Sequence, residues 1–168
     1  VNSITEKDND LKINSFKNKK DFTIIGEQAE LEIRIQNKGL NTSSNYLANI
    51  FNDANKDSIP QSAELIGQVN GISLASGDSS QLTFSTTNFI QGKNYFIAKL
   101  EITPDDDTTN NIAFTNFFGV VVNEIRNDIV INEIMYAPNS PEPEWIEIFN
   151  RSSKIINLKN YKIADNSN

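Results

Sequence analysis

Apolar residues recur at every second position along most of this chain, a period that suits a half-buried β-strand and fits no helix stripe. In Glu30-Leu31-Glu32-Ile33-Arg34-Ile35-Gln36 the charged and amide side chains fill one face and the aliphatic ones the other. Leu82 and Phe84 alternate with Gln81, Thr83 and Ser85, and Phe96, Ala98, Leu100 and Ile102 alternate with Lys99 and Glu101. Leu11, Ile13 and Phe16 open an earlier strand, residues 47–51 form a middle one, and residues 113–122 a long late one. Between them stand turn signals: Asn37-Lys38-Gly39, residues 53–57, Asn70-Gly71, Ser76-Gly77-Asp78, Gln91-Gly92-Lys93 and residues 104–111. Many short strands punctuated in this way predict an all-β chain folded as an antiparallel sandwich. The 25 asparagines suit it, because Asn tolerates left-handed backbone in turns.

The side-chain inventory narrows the chemistry. With no histidine and no cysteine, there is no Ser-His-Asp or Cys-His nucleophile, imidazole base, His-ligated zinc, disulfide or thiolate. Carboxylates, amines and hydroxyls remain. A formal charge of -7 disfavours nucleic acid and anionic lipid as partners unless a basic patch intervenes. Lys17, Lys19 and Lys20 form the one such cluster, flanked by acidic residues and read as a solvated face. No apolar run approaches the ~20 residues of a membrane span, so no membrane insertion is expected. The chain opens on Val1 with no signal peptide, so a processed form or an excised piece of something longer is expected.

The long late strand gives way to a polar stretch at residues 123–128, which divides the chain into an N-terminal flank (1–8), a sandwich (9–123), a linker (124–128) and a second segment (129–168). That last segment runs Ile129-Val130-Ile131-Asn132-Glu133-Ile134-Met135-Tyr136, a proline-rich turn, Glu144-Trp145-Ile146-Glu147-Ile148-Phe149-Asn150, then Ile156-Asn157-Leu158 and Tyr161-Lys162-Ile163-Ala164-Asp165. It resembles the opening of a bacterial lamin tail domain, with its "INEI", "EWIEL.N", "I.L" and "W.L.D" strands; Tyr161 stands where that family usually has tryptophan. The resemblance covers only the first part of an immunoglobulin-like sandwich, which needs roughly 100 residues. It implies a truncated second domain whose inward side chains pack on the first unit, pair with a second molecule or stay exposed.

The first segment is similar to the CARDB type, a cell-adhesion-related, immunoglobulin-like module. The residues carrying this are Asp10-Leu11-Lys12-Ile13; the run from Gly26 to Gly39 as "G..v.l.v.v.N.G"; Leu74 to Phe84 around Gly77; Gly92 to Leu100 as "G.y.i.a.v"; and the acidic loop from Asp105 to Asn111. The two resemblances imply a non-catalytic binding, adhesion or spacer module of a multidomain bacterial secreted or cell-surface protein, with protein or polysaccharide at the cell surface as partner and a possible dimer through the second segment. The alternative is an accessory module of a secreted hydrolase or nuclease whose catalytic domain lies outside this chain.

Two acidic loops offer ligand chemistry. Asp53, Asn55, Asp57 and Glu64 place oxygen donors at positions 1, 3, 5 and 12 of a calcium-loop template, although Ser58 replaces the turn glycine and strands replace the flanking helices. Asp105, Asp106 and Asp107 are the second calcium candidate, weighed against a solvated turn. No other cofactor is expected. Trp145 is expected to bury its ring in sheet packing. Glu133 and Glu147 fall on neighbouring strands and read as framework rather than as a catalytic pair.

Overall fold

A computed structural model describes residues 6–121, 125–158 and 161–164. The chain divides into two compact units, Val1–Gly119 and Val120–Asn168. In the first, eight strands run β1 (Leu11–Asn18), β2 (Phe22–Ile24), β3 (Ala29–Asn37), β4 (Tyr46–Asn52), β5 (Leu65–Gly71), β6 (Ser79–Thr86), β7 (Gly92–Glu101) and β8 (Ile112–Val120). They form a three-stranded sheet, β1-β3-β6, and a five-stranded sheet, β2-β8-β7-β4-β5. The antiparallel sandwich expected from the alternation, and the immunoglobulin-like form implied by the resemblance, are therefore present.

The period-two pattern sets which face goes inward. Along β3, Ala29, Leu31, Ile33 and Ile35 are buried while Glu30 and Arg34 face out. Register with β1 places Ile13 opposite Ile35 and Phe16 opposite Ile33, so one apolar face spans both strands. From the facing sheet, Tyr46, Ala48, Ile50, Phe96, Ala98, Leu100 and Phe117 enter the same core cluster. Phe117 stacks on Phe96 at 5.3 Å between centroids and meets the edge of Phe89 at 5.2 Å. Each fully buried Leu, Ile or Phe contributes about 1.5–3 kcal/mol relative to exposure, which makes this cluster the main source of stability.

Two strands escape the sequence pattern. β2 is only three residues long. β5, LIGQVNG, is an edge strand with mostly exposed or half-buried side chains and so carries little alternation. Asn70-Gly71, read as a turn, instead ends β5: Gly71 pairs with Tyr46, and a Cβ there would lie 2.0 Å from the tyrosine ring. The glycine gives the ring its seat.

The second unit holds one hairpin, β9 (Ile129–Met135) paired antiparallel with β10 (Trp145–Asn150). The segments at 156–158 and 161–164, expected as strands, are irregular; Asp165 lies outside the described residues. Trp145 is 40% exposed rather than buried. Among the described residues of this unit no second sheet stands opposite the hairpin, so the ring has no partner layer. No helix among the described residues is long and apolar enough to cross a membrane.

Candidate metal centre

The loop joining β4 to β5 carries the first acidic candidate. Asp53 continues the ladder beyond β4, its N–H donating to the Tyr95 carbonyl at 3.0 Å. Its carboxylate is turned into its own loop and 4% exposed. There Oδ1 accepts from the Asp57 N–H at 3.1 Å and Oδ2 from the Ser58 N–H at 3.2 Å. To come back under that carboxylate the chain adopts left-handed backbone at Lys56 (φ 62°) and Ser58 (φ 61°). Ser58 occupies the turn position of the template and takes the conformation that glycine adopts more readily.

Asp57 is held by Asn55 Nδ2 at 2.9 Å, Gln61 Nε2 at 2.7 Å and the Ile59 N–H at 2.8 Å. A single 3-10 turn, Ser62–Glu64, then returns Glu64 to the group. One carboxylate oxygen from each of Asp53, Asp57 and Glu64 lies within 4.8 Å of the others. Glu64 Oε2 is buried and has no hydrogen-bond partner. Three carboxylates thus converge, and one of their oxygens is out of water and unmatched, a costly arrangement for an acceptor. The donor set is all oxygen, as a hard divalent cation requires. Asn55, the fourth sequence candidate, is bonded to Asp57 at both ends of its amide: Oδ1 accepts from the Asp57 N–H at 3.0 Å and Nδ2 donates to its carboxylate. Gln61, which orients Asp57, carried no signal in the sequence.

Asp105, Asp106 and Asp107 diverge instead. Asp105 accepts from the Asp107 N–H and from Asn111 Nδ2, both at 2.9 Å. Asp106 exchanges two hydrogen bonds with the Asn9 backbone, at 2.8 and 2.7 Å. Asp107 pairs with the Lys7 ammonium and accepts from Thr109. Bonded chiefly to Lys7 and then to Thr109, its carboxyl is pulled down to about 2. The loop clasps the segment that enters β1, and a protein ammonium is paired with Asp107.

The remaining candidates are framework. Glu133 and Glu147 stand directly opposite each other in the hairpin register, on exposed strands, with Glu147 bonded to Asn132. Lys17 and Lys19 pair with Glu32 and Glu30 of β3, at 3.9 and 2.9 Å.

The hairpin and the sandwich have separate likenesses. Residues 124–168 match the family described as Lamin Tail Domain. The sandwich has the CARDB fold. It is similar to the CARDB domain of the PF1109 protein from Pyrococcus furiosus, a structure in complex with di-metal ions, with TM-score 0.50 and 19% identity over 71% of this chain and 94% of that one. It is likewise similar to a domain of a candidate cell surface protein from Methanosarcina acetivorans, with TM-score 0.53 and 14% identity over 67% of this chain and 92% of that one. No curated protein matches the chain in sequence.

Proposed function

We propose that the chain is a non-catalytic binding module of a secreted or cell-surface protein, and that its β4–β5 loop takes calcium. The observation that carries the metal assignment is the convergence of Asp53, Asp57 and Glu64 around an unmatched, buried carboxylate oxygen. Asp53, Asp57 and Glu64 would hold the ion, which would supply charge neutralisation and rigidity rather than chemistry. The CARDB fold and the metal-bound Pyrococcus structure support this reading. The absence of histidine and cysteine and the exposed, framework setting of Glu133 and Glu147 support a non-catalytic role.

Melting the full chain against calcium tests it. Extracellular calcium modules bind at about 10⁻⁴–10⁻³ M. At a hundredfold excess over Kd the folded state gains about 2.7 kcal/mol, a rise of several degrees in Tm. Asp57→Asn and Glu64→Gln are each expected to abolish most of the rise. A midpoint that does not move up to 10 mM calcium (about ten times the weakest expected Kd) sinks the metal assignment.

A further inference from the structure

The five-stranded sheet has a second face, turned away from the core. On β8 the inward residues Ala113 and Phe117 pack in the core, which leaves Phe114, Asn116 and Phe118 outward. Phe114 is 54% and Phe118 41% exposed. Register sets Phe114 beside Ile97, Asn116 beside Tyr95, and Phe118 beside Lys93 of β7. Across the next strands, Ile97 lies beside Phe51, and Phe51 beside Leu65. Ile97 and Phe51 are buried, yet neither belongs to the core cluster; neighbours on the outer face cover them. What the face exposes is Phe114, Phe118 and Leu65, over a covered layer of Ile97 and Phe51. Phe114 and Phe118 stand ~14 Å apart along β8, and Tyr95 sits between them one strand over. That is long enough for a short run of linked sugar rings to stack.

The polar groups of this face fit one kind of partner. The ammonium groups of Lys56 and Lys93 lie 5.6 and 5.3 Å from the Tyr95 ring centroid. Lys93 and Lys99, on the same face of β7, stand outside the ion pairs found among the described residues in a chain of net charge -7, while Lys56 belongs to the loop that carries Asp53, Asp57 and Glu64. Glu101 is the one acidic strand residue on this face of β4, β5, β7 and β8, at the end of β7 remote from Lys93. The exposed amides of Asn116 and Gln68, the latter donating to Asn49 Oδ1 at 2.7 Å, add donors and acceptors for hydroxyls.

We propose that this face binds an acidic polysaccharide, with Phe114 and Phe118 stacking on sugar rings and Lys93 and Lys99 meeting its carboxylates. The proposal names the ligand class of the binding module but does not require the calcium loop. The test is affinity electrophoresis of the full chain in EDTA through gels containing carboxymethyl cellulose, polygalacturonate or alginate, with neutral hydroxyethyl cellulose as control. Retardation by at least one acidic polymer and none by the neutral one is expected. Phe114→Ala with Phe118→Ala, and separately Lys93→Glu, should each weaken it by about tenfold, a loss of about 1.4 kcal/mol. Because all three side chains are exposed, Tm should stay within a degree or two, so lost binding is separable from lost folding. The proposal is overturned by no retardation in any acidic gel, by equal retardation in the neutral gel, by unchanged binding of the variants, or by binding that appears only with calcium. Self-association that needs Phe114 and Phe118 would assign the face to a second copy of the chain and also overturn it. If Tm ignores calcium while acidic polymers still bind, only the metal assignment falls.

Discussion

Asn37 shows how an amide can be structural where the sequence reads only a turn. It is fully buried; Nδ2 donates to the Asn41 and Leu74 carbonyls, both at 2.8 Å, and Oδ1 accepts from the Gly39 N–H at 2.9 Å. Asn94 repeats the device, bonding Ile90 and Gly92. Replacing Asn37 with Ala removes three hydrogen bonds, each contributing about 0.5–1.5 kcal/mol, although the Gly39 N–H still donates to the Asp10 carbonyl and the Leu74 carbonyl still accepts from the Ser43 N–H. A loss of about 3 kcal/mol in urea unfolding is expected; a change below about 1 kcal/mol would remove Asn37 as the tie between these loops. Ser58→Gly should go the other way, gaining about 0.5–1 kcal/mol by relieving left-handed backbone. Asp107 supplies a pH signature. Its carboxyl is depressed to about 2, mainly by Lys7, so its contribution is complete above the ordinary carboxylate value of 3.8 and disappears as pH falls through about 2. Lys7→Ala should therefore lower stability above pH 4 and flatten its fall between pH 4 and pH 2, measured by Tm at stepped pH, because the Asp107 carboxyl then returns toward its ordinary value; an unchanged profile would show that the clasp does not stabilise the fold.

The elements were legible in proportion to how one-sided their surroundings are. β1, β3, β4, β6, β7 and β8 each bury one face or lie mid-sheet, and alternation marked them. β5 lacks that contrast, because its sequence LIGQVNG places Gly67, Val69 and Gly71 where a core face would carry large side chains, and so it went unread. Gly39 was legible as a turn but its reason was not. A Cβ there would lie 2.7 Å from both the Asp10 nitrogen and the Asp8 oxygen, backbone atoms that have little room to give. Gly39→Ala is expected to cost about 1–3 kcal/mol by calorimetry. The β9–β10 hairpin shows the converse. Its register places Ile134 beside Ile146 and Ile131 beside Ile148, an aliphatic face about half exposed, and a groove of about 430 Å³ runs between that face and Leu158 and Tyr161. Such a face is an association hazard. Ile131→Lys with Ile148→Lys should lower any concentration-dependent sedimentation of the chain. A wild-type chain that stays strictly monomeric would discount pairing through the hairpin.

At the scale of the molecule, the alternation and the turn chemistry determined the all-β class, most strand positions and the identity of the acidic loops. The absent histidines and cysteines determined which chemistries were out of reach. Tertiary structure decided which acidic loop is a candidate cation site. Residues 105–107 hold three consecutive carboxylates, yet each is bonded to different protein groups: Asp105 to the Asp107 N–H and Asn111, Asp106 to Asn9, and Asp107 to Lys7 and Thr109. Asp53, Asp57 and Glu64 are spread over twelve positions, and two left-handed residues and a 3-10 turn brought them together. It also decided the outer face of the five-stranded sheet. Alternation says that Phe114 and Phe118 share a side, but only the strand order β8-β7-β4-β5 puts Tyr95, Lys93 and Lys99 next to them. Periodicity is a local property carried by each strand alone; adjacency between strands depends on contacts distant in sequence, and those are fixed only when the chain closes its core.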